Sequence, residues 1–238
     1  MTAGSKKTAA VILAAGSSER LGGDTRKQFV KICGIPVVAH TLMAFESSSS
    51  IDEIVIVAHK DEIGLYKDLR EQYKITKLRK AVIGESTRQE SSLKGFEAVS
   101  EEAEFIAVAD AARCLVTPEI IDAVCKASYR YGAATAAWQS PDSVKTGRKM
   151  RGVPVIEADL DRNTVWMTQT PQVFRKDIYA CAAYAAKEYG FSATDDCSMV
   201  QHIGRTVYLV DCGPENIKIT TQDDLRRAEL ILQNRRQP

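Results

Sequence analysis

Through its first 139 residues the chain alternates short apolar runs with stretches of helical period, and few folds accommodate that rhythm. Residues 9–13, 51–58, 81–83, 105–109 and 133–138 are apolar and of strand length, the pattern of strands buried on both faces. Between them, residues 35–45, 61–73, 86–98 and 117–130 read as helices. Pro36 falls near a first turn, where its missing N–H costs little, and Thr117-Pro118 has the form of a cap followed by a first helical residue. Ile63, Leu65, Tyr66 and Leu69 give the second helix an apolar stripe. Such alternation predicts an α/β fold: a parallel or mostly parallel sheet with helices on both faces. A chain of 238 residues that is 45% hydrophobic has the apolar surface for one such domain spanning residues 1–238.

The rhythm breaks after Gln139. Residues 140–165 are rich in charge, Gly and Pro and contain two extended pieces, Val153-Pro154-Val155-Ile156 and Thr164-Val165-Trp166-Met167. They read as an arm that leaves the domain and returns, and exposed Val and Ile on an arm predict burial against a second copy of the chain. The alternative is a surface hairpin. Residues 169–174 then re-enter the domain and 176–189 form an Ala-rich helix. Thr194-Asp195-Asp196 caps a further helix, 206–210 and 216–220 are short strands, and Thr221 caps a last helix with a basic end.

Composition narrows the function. Formal net charge is +1, which disfavours a nucleic-acid partner, and the apolar start of the chain is too short to span a membrane. Six scattered cysteines without a C-x-x-C pair read as reduced thiols in a cytoplasmic protein rather than as a zinc or redox site.

Chemistry-bearing residues concentrate where predicted strands end. Ala14-Ala15-Gly16-Ser17-Ser18 follows the first strand with little side-chain bulk, so its backbone N–H groups can approach an anion, and Arg20, Arg26 and Lys27 add positive charge. This fits a phosphate loop or an ordinary βα turn with solvated charges. It is neither G-x-G-x-x-G, which argues against an NAD-dependent oxidoreductase, nor a P-loop. Gly84 ends the third strand, and Arg88 and Ser91 fall in the first turn of the next helix, where free N–H groups favour an anion. Asp110 closes the fourth strand at the edge where α/β sheets bind ligands; it can hold Mg²⁺ or pair with Arg113.

Taken in order, Leu13-Ala14-Ala15-Gly16, Arg20, Lys27-Gln28, Arg88 with Ser91, Asp110-Ala111-Ala112-Arg113, Asp161-Arg162, Gln169-Thr170-Pro171-Gln172, Thr194-Asp195-Asp196 and Asn216-Ile217-Lys218-Ile219-Thr220 span nearly the whole chain. In this order the sequence resembles the 2-C-methyl-D-erythritol 4-phosphate cytidylyltransferases of the non-mevalonate isoprenoid pathway. The resemblance implies a Rossmann-like nucleotidyltransferase domain, a homodimer clasped by the 140–165 arm, and Mg²⁺-dependent transfer of CMP from CTP to the polyol phosphate. It implies Arg20, Lys27 and Lys218 as the catalytic cations, and Ala14, Ala15, Gly16, Gly84, Arg88 and Ser91 around CTP. It further implies Asp110, Arg113, Ser143, Arg162, Thr170 and Thr194 around the polyol phosphate, with Asp110 also at the metal. The pattern departs from the family at four positions: Arg26 and Cys114 stand where Pro is usual, Ala109 where His is usual, and Ser143 where Thr is usual. A cytidylyltransferase for another polyol phosphate, such as ribitol 5-phosphate, and a nucleotide-binding homologue without catalysis are the competing readings.

Overall fold

A computed structural model describes residues 6–16 and 26–236. The first strand, β1 (Thr8–Leu13), is followed by a single 3-10 turn at Lys27–Phe29 and a small hairpin of β2 (Lys31–Ile32) and β3 (Ile35–Pro36). Next come α1 (Val37–Ser47), β4 (Glu53–Ala58), α2 (Ile63–Gln72), β5 (Leu78–Ile83), α3 (Arg88–Ala98), β6 (Phe105–Asp110), α4 (Pro118–Tyr131) and β7 (Ala133–Gln139). The second half contains β8 (Lys145–Met150), β9 (Val153–Asp159), β10 (Trp166–Arg175), α5 (Lys176–Glu188), α6 (Asp196–His202), β11 (Tyr208–Asp211) and α7 (Gln222–Arg236).

Seven strands form one sheet in the order β11-β7-β10-β6-β1-β4-β5. All neighbours run parallel except β10, which lies antiparallel to both β6 and β7. The expected α/β class with a mostly parallel sheet is therefore observed. Period-two alternation divides the core into two layers. Ala10, Ile12, Ile54 and Ile56 pack with Val38, Leu42 and Phe45 of α1 and Ile121 and Val124 of α4. Ala9, Val11, Val55 and Val57 face Leu93 and Phe96 of α3 and Tyr179 and Ala182 of α5. Gly95 lets α3 lie close to the sheet, since a Cβ there would stand 2.3 Å from the Val11 side chain and 2.7 Å from that of Val57.

Three local expectations are corrected. Residues 35 and 36 do not open a helix: they pair with Lys31 and Ile32 across Cys33 and Gly34, both at positive φ, and α1 starts at Val37. The piece 164–167 does not pair within the arm, because Trp166 starts the ten-residue β10, which pairs with β7. The ladder that projects is instead β8 with β9. Residues 216–220 form no strand. Ile217 and Ile219 supply an alternating pattern, but they pack beside Leu225 and Ala228 of α7, and isolated backbone bonds, from Ile217 to Glu215 and from Ile219 to Ala112, replace a ladder.

Candidate active site

The C-terminal ends of β1, β5 and β6 converge with the N-terminus of α3 on a cleft of about 410 Å³. Each strand is extended beyond its end by one more backbone bond: Ala14 N–H to the Val57 carbonyl at 2.7 Å, Gly84 N–H to that of Ala58 at 2.9 Å, and Ala111 N–H to that of Leu13 at 3.0 Å. The cleft is therefore walled by backbone held in the register of a buried sheet, the usual ligand position of an open α/β fold. Ala14, Ala15, Gly16, Lys27, Arg88, Ser91, Asp110 and Lys218 all line it, along with Gln28, Glu85 and Ser86.

One end of its wall is built by close approach. A Cβ at Gly84 would lie 2.4 Å from the Ala15 Cβ and 3.0 Å from Ser91 Oγ, so only glycine fits between these elements. Ser91 Oγ accepts from the Glu85 N–H at 2.9 Å, tying the strand exit to the helix. Thr87 and Glu90 form a reciprocal capping box that fixes the start of α3 and thereby Arg88, its first residue.

At the other end charges alternate in a chain. Lys218 Nζ is 2.7 Å from Asp110 Oδ2, and Arg88 Nε is 3.3 Å from Asp110 Oδ1. The same guanidinium reaches Asp196 Oδ2 at 2.7 Å through Nη1. Asp196 is fully buried and also accepts from Ser92 Oγ at 2.7 Å and from the Tyr179 hydroxyl at 3.2 Å. Burial alone would raise the Asp110 carboxyl, but Arg88 and Lys218 outweigh it and hold the group below its ordinary value, so it is ionised at neutral pH. Burial pulls the Arg88 guanidinium down, while Asp196 and Asp110 hold it above its usual value.

The remaining residues singled out in the sequence lie around this centre. Thr170 Oγ1 accepts the Asp110 N–H at 3.0 Å and so orients the carboxylate-bearing residue. Arg113 does not make an ion pair with Asp110. Its Nη1 donates to the Asn216 carbonyl at 2.7 Å, two residues before Lys218. Thr194 is exposed, with its hydroxyl 3.2 Å from Ser198 Oγ, and is outside the cleft lining. Ser143 and Arg162 are exposed on either side of the β8–β9 hairpin, outside the lining as well. Arg20 and the glycines at 22 and 23 fall outside the described residues.

The motifs at 169–172 and 216–220 signal the family, but the bonds that join them are visible only in the structure. Asn216 Nδ2 donates to Gln169 Oε1 and to the Thr170 carbonyl, both at 2.9 Å, and the Ile219 N–H donates to the Ala112 carbonyl at 2.8 Å. Lys218 thus sits on a segment without regular structure that is anchored on both sides. Ala109 is buried in the layer under α1 and α4, away from the cleft lining. Burial pushes the Cys114 thiol up to about 12, as expected of an inert core cysteine.

Among solved structures, a 4-diphosphocytidyl-2C-methyl-D-erythritol synthase from Anaerococcus prevotii superposes with a TM-score of 0.85 at 30% identity, over 96% of this chain and 97% of that one. A 2-C-methyl-D-erythritol 4-phosphate cytidylyltransferase from Thermus thermophilus superposes with a TM-score of 0.73 at 26% identity, over 94% and 98%. Fold and matches together define the class, a nucleotidyltransferase enzyme. Curated relatives named 2-C-methyl-D-erythritol 4-phosphate cytidylyltransferase are 39% identical in Pelotomaculum thermopropionicum, over 96% of this chain and 95% of the relative, and 37% identical in Syntrophus aciditrophicus, over 95% and 96%. The model of that family matches residues 8–234, and the chain belongs to the 2-C-methyl-D-erythritol 4-phosphate cytidylyltransferase family.

Proposed function

We propose that the protein transfers CMP from CTP to 2-C-methyl-D-erythritol 4-phosphate and releases pyrophosphate. The observation that carries this reading is the convergence of Lys27, Arg88, Asp110 and Lys218, far apart in sequence, beside the small-residue backbone of Ala14, Ala15 and Gly16. A phosphate oxygen of the acceptor attacks the α-phosphorus of CTP. The new P–O bond forms as the bond to the β-phosphate bridge breaks, and pyrophosphate leaves with the electron pair. Because the attacking oxygen is already anionic, no general base is needed, and none of the three histidines lines the cleft. The protein's task is to bring two polyanions together and to meet the added charge with fixed cations.

In this reading Lys27 and Lys218, with Arg20, stabilise that charge. The N–H groups of Ala14, Ala15 and Gly16 hold the phosphates, and the pyrimidine lies in the cleft against the wall that the close packing of Gly84 on Ala15 and Ser91 creates. Arg88, which lines the cleft with Asp110, neutralises that carboxylate beside CTP. A divalent ion fits this donor set as one that arrives with the nucleotide. Mg²⁺ is commonly held by one or two carboxylates plus substrate phosphates, Asp110 supplies one carboxylate, and no group of three or more acidic, His or Cys side chains among the described residues could hold an ion unaided. When bound, Mg²⁺ supplies charge neutralisation along the triphosphate.

The acceptor phosphate is received by Arg162 and Ser143 from the arm of a second subunit, with Thr170, Thr194 and Arg113 near the cleft. The whole chain forms one nucleotidyltransferase domain with 140–165 as its dimerisation arm. Val153 and Ile156 are 61% and 71% exposed on β9, apolar surface that a second copy would cover. Sedimentation as a dimer is expected, and a monomer at micromolar concentration would overturn the arm's role. Six cysteines without a disulfide, and no described helix long and apolar enough to cross a membrane, support a cytoplasmic enzyme. Ala109, where the family usually has His, is buried in the core and outside the cleft lining, which supports a catalytic over a non-catalytic reading.

One assay tests the reading: purified protein, CTP and Mg²⁺ with methylerythritol phosphate or ribitol 5-phosphate, read by pyrophosphate release. Release with methylerythritol phosphate is expected. Release with ribitol 5-phosphate alone would move the acceptor, and CTP binding without any release would remove the catalytic assignment.

A further inference from the structure

Both sequence neighbours of Lys27 are tied to a single buried carboxylate. Gln28 is 2% exposed, and its Nε2 donates in two directions: to the Ala14 carbonyl at 3.1 Å, and to Glu62 at 3.1 Å on Oε1 and 2.9 Å on Oε2. On the other side of Lys27, Arg26 Nε is 3.0 Å from Glu62 Oε1. Glu62 is 5% exposed in the one-turn 3-10 helix Lys60–Glu62, directly before α2. A carboxylate this buried is costly unless it is paired and hydrogen-bonded, and its partners here are the residues on either side of a proposed catalytic lysine.

The secondary structure around Lys27 is too slight to fix it. The Lys27–Phe29 turn is three residues long, and its backbone closes through Phe29 N–H to the Arg26 carbonyl at 2.9 Å and Val30 N–H to that of Lys27 at 3.3 Å. The Phe29 ring packs on Tyr66 of α2, centroids 5.7 Å apart, so α2 steadies the turn from one side while Glu62 holds it on both flanks of Lys27.

We propose that Glu62 is a positioning residue for Lys27. By fixing Arg26 and Gln28, the latter also bonded to the Ala14 carbonyl, it sets the lysine in the cleft beside the Ala14–Gly16 backbone and the phosphates proposed to bind there. The inference rests on the role given to Lys27 above. It also assigns a purpose to Arg26, whose backbone sits at φ −64 and ψ 138, the φ that a proline ring imposes. The Arg26–Glu62 pair restrains by charge a torsion that a ring would restrain covalently.

The test compares Glu62→Gln, Arg26→Gln, Arg26→Pro and Lys27→Ala in the full-length enzyme, with kcat and KM for CTP and a thermal unfolding curve for each. Lys27→Ala is expected to lose about 100-fold or more in kcat. Glu62→Gln and Arg26→Gln are expected to lose about tenfold in kcat and in kcat/KM together, with KM for CTP little changed, as for an interaction realised in the transition state. Arg26→Pro removes the same charge but restores the torsion, so it is expected to keep about fivefold more kcat than Arg26→Gln. A role confined to stability would lower the unfolding temperature of the Gln variants without separating Pro from Gln in kcat. Equal kcat for Arg26→Pro and Arg26→Gln, or a kcat for Glu62→Gln within about twofold of the parent while Lys27→Ala is inactive, overturns the positioning role. Near-normal turnover by Lys27→Ala overturns the reading of Lys27 itself and the inference with it. If Glu62→Gln does not fold, the Arg26 pair decides.

Discussion

Strand β6 pairs in unbroken register with both its neighbours, the β8–β9 hairpin shifts register between Thr146 and Gly147, and the two have opposite surroundings. All six residues of β6 are buried, and the strand delivers Asp110 to the cleft. Every residue of β8 is exposed, and on β9 only Val155 is even partly covered. A strand inside a sheet draws its rigidity from its neighbours, whereas a two-stranded ribbon alone in water is marginal at best. The sheet edge can therefore hold fixed charges without outside help, and the hairpin needs another surface before it can hold anything. The proposed site divides along the same line. Lys27, Arg88, Asp110 and Lys218 belong to the self-sufficient part, and Ser143 and Arg162 to the part that awaits a partner.

Substitutions should separate the two regions, and the largest effect belongs to the sheet side. Removing the Asp196 carboxylate leaves Arg88, Ser92 and Tyr179 without their shared acceptor, so Asp196→Ala should cost about 3–5 kcal/mol in urea unfolding, as for breaking one side of a buried ion pair. A loss within the range of a surface substitution would break the contrast. Lys218→Ala should lower kcat by about 100-fold, roughly 2.7 kcal/mol, with the unfolding midpoint little moved. On the hairpin side, Arg162→Ala should raise KM for the polyol phosphate about tenfold while leaving KM for CTP unchanged. Smallest for the fold itself, Ile156→Asp should turn a sedimenting dimer into a monomer while shifting the stability of the domain by no more than about 0.5 kcal/mol.

The charge chain also sets a pH response. The folded Asp110 carboxyl is held below its ordinary value of 3.8, so its contribution to stability is complete above that pH and is lost as pH falls through the lowered folded value. Acid unfolding should accordingly be shallower in Asp110→Asn than in the parent, a difference readable by circular dichroism. No step in turnover should titrate with Asp110 above about pH 5.

The fold was largely legible because buried parallel strands announce themselves as short apolar runs, and the cleft because strand ends in such a sheet are ligand positions. What could not be read is what only tertiary burial decides. Lys60-Asp61-Glu62 looks like a solvated charged stretch, yet Asp61 carries that exposure while Glu62 turns inward. Asp195 and Asp196 look like interchangeable cap residues. In the structure Asp195 caps α6 through the Ser198 N–H at 2.9 Å, while Asp196 is buried against Arg88. Alternation at Ile217 and Ile219 imitates a strand because the segment shares a strand's half-buried condition without its ladder. The hairpin of β2 and β3 was missed for a different reason, since Pro36 suits a helix start and a short strand alike.

The antiparallel β10 has a bearing on how the chain assembles as it is made. Strands β6 and β7 are never neighbours: β7 pairs with β10 and β11, both synthesised later, and one edge of β6 stays open until residues 166–175 emerge. The second half of the sheet is thus joined to the first by a strand that arrives after the hairpin has been made. A chain cut at residue 139 would carry two apolar strands with unpaired edges, the condition under which partly made proteins find the wrong neighbours.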